Sequence, residues 1–221
     1  MTVRLRSARR RKPSSAAWLS RQLNDPYVTE ARRLGYRSRA AFKLIELDDR
    51  FRLLRPGARV VDLGCAPGGW TQVAVARVGA RGRVVGVDIA EVTPIAGAAI
   101  LRADIDEAAT AAAILAELGD LADLVLSDLA PATTGHAATD HLRIIALAEV
   151  AFAVAAQILK PGGDFVAKVF QGGAQGELLA QLKDAFSEVR HAKPPASRAQ
   201  SAETYVIAKG FRGSPGRERP V

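Results

Sequence analysis

The residues whose types and spacing could do chemistry cluster first in one turn, Asp62-Leu63-Gly64-Cys65-Ala66-Pro67-Gly68-Gly69-Trp70. An apolar strand pattern at 60–63 leads into it and a helical pattern at 70–78 leaves it. Glycines at 64 and 68 let the backbone bend sharply and come close to a ligand. The spacing Gly64-x-x-x-Gly68-Gly69 is not the G-x-G-x-x-G of a dinucleotide site, so a nicotinamide dinucleotide loses its main support. Asp88 follows Gly64 by 24 residues at the end of the next strand pattern. A carboxylate placed there can hold ribose hydroxyls. Asp104 and Asp128 also sit just past strand-like segments. One carboxylate at a strand end is often a helix cap. Four around one crevice, with Asp62, call for a ligand bearing an amine and hydroxyls.

S-adenosylmethionine meets these demands. It has no phosphate to cradle. Its carboxylate suits the backbone N–H groups at a helix start, and its amine and ribose suit the acids. Gly64 and Gly68 at the turn and Asp88 as the ribose ligand are therefore the cofactor contacts that these residues suggest. Cys65 is the sole cysteine and reads as a small filler in the turn, so no intrachain disulfide is possible. His136, His141 and His191 are scattered without metal-ligand spacing, and no metal is expected.

Positioning these residues takes an alternation of short apolar strands and helices. A helical pattern runs from 38 to 54 and stops at Pro56-Gly57. Strands are expected at 60–63, 83–88, 99–101, 121–127 and 164–170, with 189–191 and 204–209 closing the sheet. Helices are expected at 70–78, 107–118, 142–159 and 177–186. This pattern predicts an α/β, Rossmann-like, seven-stranded, mostly parallel sheet with helices on both faces. In such sheets ligands lie beyond the carboxyl ends of the strands.

Charge separates the chain into regions. Residues 1–59 carry 16 Lys/Arg against 5 Asp/Glu, residues 60–182 carry 7 against 14, and residues 183–221 carry 8 against 4. A basic beginning and end around an acidic middle suit a polyanionic partner. Residues 1–23 read as a flexible basic arm, 24–211 as one catalytic domain, and 212–221 as a basic tail. The Arg- and Ser-rich start also resembles a mitochondrial transit peptide, but Pro13 interrupts a long helix. No apolar run is expected to reach the length of a membrane span. Alanine and arginine richness suits a bacterial cytoplasm, with the mitochondrial matrix as the lesser alternative, and a monomer is expected.

Five motifs, in order, carry a family resemblance: residues 35–44 (GYRSRAAFKL), 66–70 (APGGW), 127–131 (SDLAP), 168–172 (KVFQG) and 197–205 (SRAQSAETY). Together they resemble the FtsJ/RrmJ family of RNA ribose 2′-O-methyltransferases, in its large-subunit (RlmE) branch, across roughly residues 24–211. The resemblance implies a class I S-adenosylmethionine-dependent fold, a Lys-Asp-Lys-Glu tetrad at Lys43, Asp128, Lys168 and Glu203, and cofactor contacts at Gly68, Trp70, Asp88, Asp104 and Asp128. It also implies that the substrate is a uridine of the A loop of 23S ribosomal RNA within the large ribosomal subunit. A tRNA anticodon-loop methyltransferase and a non-catalytic RNA-binding assembly factor remain alternatives.

The tetrad fits the chemistry that the resemblance implies. A sulfonium methyl is already electrophilic, so the demand is to activate and align a weakly acidic alcohol. Lys168 is the candidate base, since the nearby cations Lys43 and sulfonium favour release of its proton. Asp128 would orient Lys168, and Glu203 would place Lys43. Alternatively Lys168 stays charged and only steers the hydroxyl.

Overall fold

The computed structural model describes residues 23–131, 134–171 and 175–213. Most of the expected arm, residues 1–22, and of the tail, residues 214–221, lie outside the described residues, as does Gly172. Among the described residues the first complete helix is α1, Pro26–Arg33. Its start is encoded locally: Asp25 caps it by accepting a hydrogen bond from Tyr27 N (3.1 Å), and Pro26 occupies the first turn. Helix α2, Ala40–Phe51, follows.

The sheet strands are β1 (Arg59–Leu63), β2 (Arg83–Asp88), β3 (Ala98–Arg102), β4 (Ala122–Ser127), β5 (Leu159–Phe170), β6 (Phe186–Ala192) and β7 (Glu203–Phe211). Between them run α3 (Gly69–Val78), α4 (Thr110–Leu118), α5 (Ala137–Ile158) and α6 (Gly176–Ala185). The strand order is β3-β2-β1-β4-β5-β7-β6. The first five are parallel neighbours, whereas β7 runs antiparallel to both β5 and β6. The architecture is the expected seven-stranded, mostly parallel α/β sheet.

The strands are apolar on both faces because both faces are covered. On one face Leu44, Leu47 and Phe51 of α2 join Trp70, Val73 and Val78 of α3 over Val60, Leu124, Val166, Tyr205 and Ile207. On the other, α4, α5 and α6 pack over Val61, Val125, Phe165, Ala167 and Val206. The period-2 alternation of β5 therefore sends Val166 and Lys168 toward α2, and Phe165, Ala167 and Val169 toward α5.

The larger departures from the expected elements have physical reasons. Helix α1 was not expected, because only Ala31 of its residues is buried and no apolar stripe announces it. Polar contacts hold it instead, from Asp25 to Arg39 (3.1 Å) and from Tyr27 to Glu46 (2.9 Å). Helix α5 starts five residues earlier than expected, where Asp140 accepts from Thr134 N and Oγ1 (each 2.7 Å). It passes into β5 at Leu159, which pairs with Ala122, so Pro161, Gly162 and Gly163 lie in the strand before a register shift. The length of α5 also corrects the expectation about apolar runs. Residues 138–158 are long and apolar enough to cross a membrane by length and composition. In this fold Ile144, Ile145, Ala148, Ala151, Val154, Ala155 and Ile158 bury that apolar side in the core.

Phe165 is fully buried, with its ring 5.9 Å from Phe152 and 6.4 Å from Phe186. Phe165→Ala should lower unfolding free energy by about 3–5 kcal/mol. A urea titration showing a midpoint equal to the parent's would contradict that packing.

Candidate active site

The carboxyl ends of β1, β2, β3 and β4 open onto a cavity of about 500 Å³. Gly64, Asp88, Asp104, Leu129 and the α5 residues Arg143 and Leu147 help to line it. Gly64 (φ 77°) must be glycine on two counts: a Cβ there would lie 2.5 Å from Leu129 Cδ2. The turn passes through a cis Ala66–Pro67 bond. Asp88 accepts from Ala66 N (2.9 Å) and Ala90 N (2.8 Å), which fixes its carboxylate while leaving lone pairs on both oxygens. Asp104 accepts from Asp106 N (3.1 Å), and its carbonyl accepts from Thr110 Oγ1 (2.6 Å).

Gly68 and Trp70 stand apart from this cavity wall. Gly68 (φ 113°) is the N-cap of α3, and a Cβ there would lie 2.5 Å from Ile95 Cδ1. The Trp70 indole is buried, donates to Ala40 O (2.8 Å) and lies 5.6 Å from the Tyr205 ring. Its side chain packs the core, so its backbone amide at the start of α3 is the part placed to meet a ligand. Arg37 ties the turn to the following loop, donating to Pro67 O (3.2 Å) and Thr93 O (2.6 Å).

Beside the cavity the structure brings Lys43, Asp128, Lys168 and Glu203 together from four places in the chain. On the antiparallel ladder Lys168 pairs with Tyr205 and Phe170 with Glu203, so Lys168, Tyr205 and Glu203 all face α2. Lys43 comes down from α2 onto that face. Asp128 follows the last residue of β4, and Ser127 is in register with Ala167. Lys168 Nζ donates to Asp128 O (2.7 Å) and Asp128 Oδ1 (3.1 Å). Lys43 Nζ lies 2.8 Å from Glu203 Oε1 and 3.8 Å from Asp128 Oδ2. The four side chains retain between 6% and 17% of their exposure, so water screens them little.

Burial alone would raise the Asp128 carboxyl. The Lys168 and Lys43 ammoniums and the Tyr205 hydroxyl outweigh it and hold the pKa below the ordinary carboxylate value. Tyr205 is the site residue that spacing did not single out. Its hydroxyl donates to Asp128 Oδ1 (2.7 Å), and its ring lies under Lys43 Nζ at 5.8 Å. Its position two residues after Glu203, on the same face of β7, was the available signal.

Known proteins resemble this chain across most of its length. The model of the FtsJ-like methyltransferase family matches residues 36–211. The chain belongs to the FtsJ-like methyltransferase family. It is 62% identical over 219 residues to the ribosomal RNA large subunit methyltransferase E of Paramagnetospirillum magneticum, covering 97% of this chain and 90% of that one. The protein of the same name from Acidiphilium cryptum is 60% identical over 210 residues, covering 95% and 92%. A solved ribosomal RNA methyltransferase of Plasmodium falciparum is similar with a TM-score of 0.72 and 31% identity, covering 81% of this chain and all of that one.

Two further groups in this FtsJ-like site are explained by burial. Cys65 is buried against Gly86, and burial followed by the Asp62 and Asp88 charges pushes its thiol up to about 12. It is an inert filler rather than a nucleophile. Asp62 is fully buried; Oδ2 accepts from Thr71 Oγ1 (2.7 Å), while Oδ1 has no partner. Burial pushes Asp62 up to about 7, despite the Thr71 hydrogen bond. A group raised in this way stabilises the free protein fully below its unfolded value near 4, and that contribution is lost as pH rises toward 7. Asp62→Asn keeps the Thr71 contact and removes the titration. Melting curves from pH 4 to 8 should show the variant gaining on the parent by up to about 4 kcal/mol as pH rises. Curves that stay parallel would contradict the assignment.

Proposed function

We propose that this methyltransferase moves a methyl group from S-adenosylmethionine to a ribose 2′-hydroxyl of RNA in the large ribosomal subunit. The proposed target is a uridine of the A loop in the peptidyl-transferase centre of 23S ribosomal RNA. The observation that carries this reading is the buried Lys43–Glu203 and Lys168–Asp128 pairing beside a cavity rimmed by carboxylates. The names of the relatives, ribosomal RNA large subunit methyltransferase E, support the choice of RNA. A basic beginning of the chain supports it on charge.

The residues present fit that donor. Asp62 Oδ1 is a buried acceptor without a partner, and Gly64 leaves room for a backbone approach that a Cβ would fill. Asp88 offers free lone pairs for the ribose, and Asp104 lines the same cavity. When bound, S-adenosylmethionine supplies an electrophilic methyl carbon on a sulfonium.

This chain's own residues then govern the proton. Lys168 Nζ, anchored by the Asp128 carbonyl and carboxylate oxygens, is the group assigned to take the hydroxyl proton. Lys168 accepts that proton as the new O–CH₃ bond forms. Lys43, fixed by Glu203, supplies a positive charge near the oxygen as it gains electron density. Asp128 holds Lys168 in place and stays ionised. We propose further that the protein works as a monomer in a bacterial cytoplasm, and that residues 1–23 and 212–221 grip phosphates around the target.

Incubation with methyl-labelled donor and large subunits, free 23S RNA or tRNA should place label in the ribosomal substrates. Label found only in tRNA would move the protein to the anticodon-loop branch, and no label at all would leave a non-catalytic assembly factor. Lys168→Ala should cut turnover by at least about 10²–10⁴-fold while calorimetry finds donor affinity little changed. Near-parental turnover would remove Lys168 from the role of base. Asp88→Ala should weaken donor binding by about 10–100-fold. An unchanged dissociation constant would remove Asp88 from the ribose.

A further inference from the structure

Glu203 has to be aimed, because a carboxylate at the first position of a strand has several rotamers open to it. The segment between β6 and β7, residues 193–202, does the aiming. Its Ser197 is buried, and the Ser197 hydroxyl donates to Glu203 Oε1 at 2.7 Å. That is the same oxygen that meets Lys43 Nζ at 2.8 Å. Ser201 Oγ accepts from Glu203 N at 3.1 Å, so the segment also fixes the Glu203 backbone.

The segment is in turn held by the helix that carries Lys43. Arg39, Lys43 and Glu46 are spaced four and three residues apart and share one face of α2 and its N-cap. Arg39 donates to Ala196 O, and Glu46 Oε2 accepts from Ala196 N at 2.6 Å. One residue is therefore gripped at both its carbonyl and its amide, by side chains on either side of Lys43. Buried Asp25 closes the arrangement by pairing with Arg39 (3.1 Å) and with Arg198 of the segment (3.4 Å). The neighbour of the gripped residue is Ser197.

We propose that Ser197 is a positioning residue that sets Glu203 against Lys43, and that the Arg39–Glu46 grip on Ala196 holds Ser197 in register. The proposal rests on the tetrad reading of the site. It gives a function to the Ser197-Arg198 part of the fifth sequence motif, which the methyl-transfer chemistry alone does not use. It also explains how two lysine–carboxylate pairs from distant elements stay in one alignment: the grip makes α2 and the 193–202 segment move as one body.

The test is a double-mutant cycle on methyl transfer to large ribosomal subunits, with donor affinity measured by calorimetry. Ser197→Ala should lower kcat about tenfold with donor affinity unchanged, and should cost nothing further in a Glu203→Ala background. Glu46→Ala loosens the grip without touching Ser197. It should lower kcat in the same direction and also lose its effect when Glu203 is absent. A purely structural role would instead add its loss to that of Glu203→Ala. Undiminished turnover in Ser197→Ala, or additive losses, would overturn the proposal and leave the tetrad reading standing. A fully active Glu203→Ala would overturn both.

Discussion

Two ammonium groups held within a few ångströms of one carboxylate repel each other strongly in a site that water screens poorly. Asp128 and Glu203 make that arrangement possible here, giving the four side chains of the tetrad a formal charge near zero. Removing one member of a buried pair leaves an uncompensated charge, at a cost of about 3–5 kcal/mol. The arrangement is therefore self-consistent only when all four groups are present. Tyr205 completes it by donating to Asp128 and lying beneath Lys43.

The sheet exists to deliver these groups to one point. Parallel strands β1, β2, β3 and β4 end at a common edge, where Asp88 and Asp104 line the cavity and Asp128 follows β4 into the tetrad. The antiparallel insertion of β7 between β5 and β6 places Glu203 and Tyr205 next to Lys168. A wholly parallel order could not set the start of β7 beside the end of β5. Helix α2 crosses the same face, and so Lys43 meets a carboxylate 160 residues away in the chain.

Much of this was legible in the residues. The strand alternation gave the fold class because buried parallel strands are apolar runs between turn residues. The glycine turn was legible because few backbones need glycine at both 64 and 68. The tetrad was not: Lys43, Asp128, Lys168 and Glu203 are scattered, and only family resemblance linked them before the register of β5 and β7 showed their shared face. Helix α1 left no apolar stripe, although Asn24-Asp25-Pro26 carried a cap signal that could have been read. Tyr205 looked like one more aromatic of a closing strand. Its hydroxyl acquires meaning only from Asp128, which lies 77 residues earlier.

The central claim is that the methyl group goes to a ribose oxygen rather than to a base. Alkali separates these outcomes, since cleavage of an RNA phosphodiester needs a free 2′-hydroxyl on its 5′ side. Labelled ribosomal RNA from the transfer reaction should be hydrolysed and its products separated. Label in an alkali-resistant dinucleotide is the result predicted by the tetrad. Label released in ordinary mononucleotides would mean base methylation and would contradict the account.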